Sequence, residues 1–218
     1  MKIAANNAEL WFYPNFIKSG QSRKLFEYLH TAISWQQDSL SMYGKLVDIP
    51  RLQAWFGESN AQYAYSGLTL APKPWLPVLE KMKNTLNEQC NDIVTHSSDV
   101  PFNDVAANNN HLNAQNVNFN SMMANCYRDN NDAVAWHSDD EPELGKQPVI
   151  ASVSLGATRI FKLKHKVSGE KLDIPLTSGS LLIMAGETQH CWQHAILRSK
   201  KAIAPRINLT FREIKPIV

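Results

Sequence analysis

The chain has 218 residues, 44% of them hydrophobic and 19% charged, enough apolar material to bury one full core, which excludes a disordered or low-complexity chain. No apolar run approaches the roughly 18 residues that span a bilayer, and Met1–Asn6 has neither the apolar core nor the cleavage site of a secretory leader. A single cytoplasmic domain over residues 1–218, monomeric and with no membrane partner, is therefore expected. The formal charge of +2 hides an asymmetry: from Leu144 to Val218, 12 Lys and Arg face 4 Asp and Glu, a net of +8. Such a basic half suits a polyanion such as nucleic acid, or is an ordinary solvated face.

Taken in chain order, the first element is a helix over about Ser19–Ile33, with Leu25, Phe26, Leu29 and Ile33 at helical spacing. The stretch from Tyr43 to Gly67 is rich in aromatics and punctuated by glycine, which predicts short strands and hairpin loops. A second helix is predicted over Pro74–Gln89, with Pro74 in its first turn and Leu76, Leu79, Met82 and Leu86 as its apolar stripe. Asp99–Asn120 is rich in Asn and reads as a surface loop. From Phe119 onward strand-like runs follow one another: Ser121–Tyr127, Val149–Leu155, Arg159–Lys164, Ser180–Met184, Cys191–Leu197 and Arg206–Glu213. Successive strands with short turns predict a mainly β sandwich or barrel covered by the N-terminal helices. Cys90, Cys126 and Cys191 are odd in number and unpaired in spacing, so buried thiols are expected; the alternative is a redox-sensitive Cys191.

The chemistry concentrates in three places. His137 and Asp139 are two apart, so on an extended backbone both side chains point the same way and can bind one ion. His-x-Asp alone is a weak signal, and a third ligand must come from His190 or His194. At i, i+4 those two would also suit a helical zinc pair, but neighbouring Trp, Ala and Ile favour a strand and no Glu follows His190, so His194 is preferred. Two imidazoles and a carboxylate on one face of an octahedral metal leave three positions open, the arrangement of non-haem Fe(II) oxygenases. In the closing run, Ile207, Leu209 and Phe211 share one face and Arg206, Asn208, Thr210 and Arg212 the other. An apolar face entering the sandwich core would leave the four polar groups along a cavity or solvent, and two guanidiniums side by side repel unless an anion joins them. Asn125 and Tyr127 share a face of the Ser121–Tyr127 strand and add an amide and a phenol to a pocket that suits a small dicarboxylate.

Nine stretches together carry a resemblance: PRLQAWFG (Pro50–Gly57), YSGLTL (Tyr65–Leu70), PKPWLPVLE (Pro72–Glu80), NCYR (Asn125–Arg128), WHSDDE (Trp136–Glu141), IASVSLGATR (Ile150–Arg159), GSLLIM (Gly179–Met184), WQH (Trp192–His194) and RINLTFR (Arg206–Arg212). In this order they resemble the AlkB-family Fe(II)/2-oxoglutarate-dependent dioxygenases, and within them the branch of the human homologues that repair alkylated DNA. The resemblance implies an α+β chain with a double-stranded β-helix (jelly roll) core over about 119–218, preceded over about 1–118 by helices and nucleotide-recognition hairpins. It implies that His137, Asp139 and His194 bind iron. It further implies that Arg206 pairs with the distal carboxylate of 2-oxoglutarate, assisted by Asn125, Tyr127, Asn208 and Arg212. The activity implied is oxidation of an N-linked methyl group by O2 and 2-oxoglutarate, giving succinate, CO2 and formaldehyde.

A base in a duplex cannot reach a buried metal, so such an enzyme accepts single strands or flips its target. The resemblance places Tyr65, in the Tyr63–Ser66 stretch, against the flipped base, and Asp140 against its exocyclic nitrogen, where a carboxylate favours cationic 1-methyladenine or 3-methylcytosine over neutral bases. Tyr43 and Lys45 align with a loop that inserts an aromatic finger into duplex DNA in one relative, with Tyr here in place of Phe. Trp55 sits where a relative that prefers single strands has an aromatic near the lesion, so the two branches' signals are mixed. Arg51, Lys164, Lys166, Lys200 and Lys201 are candidate phosphate contacts. The alternatives are the same iron chemistry on RNA or on a protein side chain, and a catalytically silent module that binds alkylated nucleic acid.

Overall fold

The computed structural model describes residues 1–42, 44–59, 61, 63–65, 68–96 and 116–215, with backbone alone for 42, 63–65, 68–70 and 94–96. Along the chain run β1 (Lys2–Ile3), β2 (Glu9–Tyr13), α1 (Ser19–Ala32), β3 (Ser39–Met42), β4 (Lys45–Asp48), β5 (Leu52–Gly57), β6 (Tyr63–Tyr65), β7 (Leu68–Leu70) and α2 (Pro77–His96). Then follow β8 (Ser121–Tyr127), β9 (Val134–His137), a 3-10 turn at Pro142–Leu144, β10 (Ile150–Gly156), β11 (Arg159–His165), β12 (Lys171–Leu176), β13 (Ser180–Ala185), α3 (Thr188–Cys191), β14 (Trp192–Ile196) and β15 (Arg206–Arg212).

The strands form a major sheet in the order β1-β2-β13-β10-β15-β8-β5 and a minor sheet in the order β12-β11-β14-β9, antiparallel throughout; β3-β4 and β6-β7 are separate hairpins. This is the jelly roll that the sequence resemblance implies. Two cores follow from it. Ile207, Leu209 and Phe211 of β15 pack with Leu29 of α1 and Leu79 and Leu86 of α2 on the helical side of the major sheet, and Leu10, Phe12, Phe161, Leu163 and Trp192 pack together from strands of both sheets. The apolar face of β15 therefore turns toward the helices, and its polar face points between the sheets, the reverse of a greasy sandwich interior. A chain connection fixes one end of this arrangement: Gly179 precedes β13 at φ +81°, and a Cβ there would sit 2.2 Å from the Ile17 carbonyl oxygen, so only glycine fits.

Three predicted features shift. The second helix begins at Pro77 rather than Pro74, because a proline disfavours the helical conformation in the residue before it, which excludes Leu76, while its own fixed φ suits a first turn. Val117 and Phe119, expected in a surface loop, are buried, and their amides donate to Asn91 Oδ1 and Asn87 Oδ1 of α2; residues 99–115 of that segment lie outside the described residues. Strand β2 is hidden in the N-terminal quarter, since the short apolar run LWFY after Glu9 has no period that separates strand from buried helix. It pairs with β13, and β5 pairs with β8, so residues before 118 supply strands of the major sheet itself.

Candidate metal and 2-oxoglutarate site

The cavity between the two sheets collects the predicted residues in one place: Asn125 and Tyr127 from β8, His137 from β9, Asp139 just beyond it, His194 from β14, and Arg206, Asn208, Thr210 and Arg212 from β15. His137 and His194 are direct register partners across β9 and β14, with ring centroids 4.2 Å apart. The ligand atoms of His137, Asp139 and His194 lie within 4.8 Å of one another. His137 Nδ1 is 2.8 Å from the Ala135 carbonyl oxygen; a carbonyl only accepts, so Nδ1 carries the proton and the Nε2 lone pair is left for a metal. His190 is exposed on α3, which leaves His194 as the third ligand and removes the helical zinc pair.

Electrostatics prepare this triad. Asp139 is 2% exposed, and its Oδ2 accepts from Arg212 Nη2 at 2.7 Å. Burial opposes its ionisation, but the Arg212 guanidinium and the two imidazoles outweigh it and hold the carboxyl below its usual range. His194 is pushed down to about 3, by burial first and by His137 second, so its imidazole is neutral at physiological pH, as a ligand must be. The Asp139 backbone N–H donates to Gln189 Oε1 at 2.9 Å, which fixes the loop that presents the carboxylate.

On the same cavity wall, Arg206 is 1% exposed and donates through Nη2 to Ser154 Oγ at 2.9 Å, while Nε and Nη1 have no protein partner. A buried guanidinium with two unused donors is costly unless a ligand completes it. Burial lowers Arg206 to about 10, far from neutralisation. Its planar fork suits a carboxylate taken by two parallel bonds. Asn208 is already engaged with Ser152 Oγ and the Val153 carbonyl, and Asn125 Oδ1 accepts from Arg51 Nε and Gln53 Nε2.

The substrate-side expectations divide differently. Arg51, expected at a phosphate, is 6% exposed, donates to Asn125 Oδ1 and the Ala133 carbonyl, and lines the cavity instead. Trp55 is 3% exposed in a cluster with Ala61, Met123, Leu144 and Ile214, with its indole N–H on the Ala61 carbonyl, and does not line the cavity. Asp140 is exposed, faces Lys166 Nζ at 3.5 Å, and lines a neighbouring surface cleft with Lys146, His190 and Lys215. Lys45 is exposed on β4, and Lys164, Lys166, Lys200 and Lys201 are exposed. Tyr63 and Tyr65 lie on hairpin β6-β7, with their side chains outside the described residues; Tyr43 lies outside them altogether. Sequence reasoning missed Gln53, Ser154 and Gln189. Gln53 was findable, since it is the register partner that a strand over Leu52–Gly57 offers to Asn125 of β8; Gln189 had no local signal.

A jelly roll whose inner cavity holds a His-x-Asp…His triad and a buried, half-satisfied arginine defines a class: enzymes that bind Fe(II) beside a dicarboxylate. Comparison agrees, because residues 9–212 match the model of the 2OG-Fe(II) oxygenase superfamily. Among curated proteins, human alpha-ketoglutarate-dependent dioxygenase alkB homolog 3 is 37% identical over 214 residues, covering 94% of this chain and 65% of that protein. Human DNA oxidative demethylase ALKBH2 is 35% identical over 213 residues, covering 93% of this chain and 72% of its own. The chain thus belongs to the 2OG-Fe(II) oxygenase superfamily and, within it, to the AlkB homologues, and it spans 63–65% of the length of the homolog 3 proteins it matches. Solved structures share the fold: OsALKBH1 at TM-score 0.65 and 18% identity, covering 97% of this chain and 99% of that one, and a Pseudomonas putida prolyl-4-hydroxylase at 0.59 and 10%, covering 95% and 93%. No helix among the described residues is long and apolar enough to cross a membrane.

Proposed function

We propose that this protein is a nucleic-acid demethylase that oxidises the N-methyl groups of 1-methyladenine and 3-methylcytosine in DNA, with 2-oxoglutarate and O2 consumed and succinate, CO2 and formaldehyde released. The observation that carries this reading is the shared cavity: three metal-ligand side chains within 4.8 Å of one another and, on the same wall, the two unpartnered nitrogens of buried Arg206. His137, Asp139 and His194 would hold Fe(II), leaving three positions for 2-oxoglutarate and oxygen. Arg206 would take the distal carboxylate, with Asn125, Tyr127, Asn208 and Arg212 shaping the pocket around the carbon chain. Iron and 2-oxoglutarate, when bound, supply the oxidising chemistry; the chain binds, orients and keeps bulk water out.

The substrate assignment rests on the names of the relatives, a DNA oxidative demethylase among them, and on chemistry at the rim. The target base must leave its stack to enter an inter-sheet cavity. Hairpin β3-β4, with Lys45 and an 81%-exposed Leu46, and hairpin β6-β7, with Tyr63 and Tyr65, are the elements proposed to grip it. Asp140 follows the ligand Asp139 in sequence, and its carboxylate would favour a cationic lesion once released from Lys166. The test is purified protein with Fe(II), 2-oxoglutarate and methylated single- and double-stranded DNA and RNA, read as formaldehyde and restored base. Lesion-dependent turnover on DNA is expected; turnover on RNA alone, or none on any methylated strand, overturns the assignment.

A further inference from the structure

Arg159 opens β11 in the minor sheet, 3% exposed, and no part of the proposed chemistry uses it. Its guanidinium spends its donors on three backbone carbonyls: Nη1 on Asp129 at 3.0 Å, and Nη2 on Asp132 and Leu197, both at 2.9 Å. Asp129 and Asp132 belong to the loop that carries the chain from Tyr127, the last residue of β8, to β9 and its ligand His137. Leu197 follows β14, the strand of His194. One side chain therefore ties the connection between the sheets to the end of a metal-ligand strand. The same group lies 5.5 Å from the centre of the Tyr127 ring, and the Arg206 guanidinium lies 5.1 Å from it. Tyr127 is 2% exposed, is the register partner of Arg206 and lines the cavity, whereas Arg159 does not. The ring is thus within reach of both the cation that lines the cavity and the cation that holds the loop.

We propose that Arg159 is a positioning residue for the co-substrate pocket: by clamping the 129–132 loop and bracing Tyr127, it holds Arg206 with its two unused donors directed at the 2-oxoglutarate carboxylate. The inference rests on the reading of Arg206 as the anchor of that carboxylate. A planar guanidinium carries five N–H donors in a fixed fork, so it can serve carbonyls in several directions; an ammonium concentrates its three donors at one point. Charge alone is therefore insufficient, and Lys should restore only part of the effect.

The experiment is calorimetric titration of 2-oxoglutarate into Mn(II)-loaded R159Q, R159K and R206M proteins, with near-UV circular dichroism to establish that each is folded and steady-state kinetics on the Fe(II) enzyme. R159Q is expected to weaken 2-oxoglutarate binding by about tenfold, the size set by losing one charge-assisted contact. Its KM for 2-oxoglutarate should rise in parallel, with kcat at saturation held within about twofold, and R159K should fall between the two. A purely structural role would lower the folded fraction and leave the affinity of folded protein unchanged. Wild-type affinity in folded R159Q, or in R159K whatever R159Q does, overturns the proposal. R206M separates the premises: if it too binds 2-oxoglutarate normally, the anchor assignment itself has failed, whereas weak binding by R206M beside normal binding by R159Q isolates the failure to Arg159.

Discussion

Strand β15 and hairpin β3-β4 are both antiparallel, and both carry residues assigned to ligands, yet their surroundings are opposite. Every residue from Arg206 to Arg212 is buried, while every residue from Lys45 to Asp48 is exposed. On β15 each polar atom is either satisfied by a neighbour, such as Arg212 on Asp139 and Asn208 on Ser152, or aimed into the cavity, as on Arg206. On the hairpin the described side chain–side chain contact is a hydroxyl–carboxylate bond from Ser39 to Asp48 at the exposed end. The cavity is thus preorganised by packing and by charge, whereas the hairpin is exposed and held by backbone pairing, and only in the function proposed above does it meet a large substrate. Substitutions should separate along that line: inside, they alter cofactor binding and stability together; at the rim, substrate kinetics alone.

The largest effect is expected from His137→Ala, which removes a ligand and the ring that faces His194. Fe(II) or Mn(II) binding, followed by calorimetry, should be lost and turnover abolished; retained activity would break the metal assignment. Next, Arg206→Met should weaken 2-oxoglutarate by about 100-fold, the range for a buried charge partner removed from an anion, with metal affinity little changed. Arg212→Met is predicted to act on stability. It strips the buried Asp139 carboxylate of its guanidinium, which costs about 3–5 kcal/mol when a buried pair is broken. A divalent metal supplies positive charge to the same carboxylate, so added Mn(II) should recover much of the loss in urea unfolding. An equal deficit with and without metal would show that Arg212 does not share Asp139 with the ion.

What the sequence makes legible follows the same division. His137, His194, the Arg strand and the Asn125 and Tyr127 pair sit on strands, where a period of two fixes which side chains share a face, while Asp139 lies just beyond β9; that these groups meet at one site was implied by the family resemblance. Spacing could not say which face met which layer. The apolar side of β15 was assigned to the sandwich core, and it packs on the helices instead, because Leu29 of α1 and Leu79 and Leu86 of α2 give that face its apolar partners. Arg51 was expected at a phosphate and Trp55, from the resemblance, near the lesion, but Asn125, Ala133 and Ala61 supply partners that hold both side chains buried. Such partners are 6 to 82 residues distant along the chain and leave no local trace. Asp140 was expected at the base because it matches an acidic residue of the family directly after the iron ligand; in the structure it is exposed and faces Lys166 Nζ at 3.5 Å.

At the rim, Leu46→Asp should leave stability within about 0.5 kcal/mol, as for an exposed site, and should leave 2-oxoglutarate affinity unchanged, while raising KM for duplex substrate. A matched loss of metal or 2-oxoglutarate binding would show that hairpin and cavity are mechanically coupled. The smallest expected effect tests the rigidity of the interior directly. Burial pushes the Cys90 thiol up to about 12, and burial with the neighbouring Asp132 pushes Cys126 to about 11, so neither forms thiolate near neutral pH, whereas Cys191 is half-buried beside β14. Iodoacetamide at pH 8 should therefore label Cys191 first, with Cys90 and Cys126 reacting only on unfolding, as read by peptide mass spectrometry. Cys126 lies between Asn125 and Tyr127 but faces the opposite side of β8, into the core behind the cavity wall. Labelling of Cys126 as fast as Cys191 would mean that the major sheet opens in the folded protein, and the contrast between a fixed cavity and an adjustable rim would then fail at its foundation.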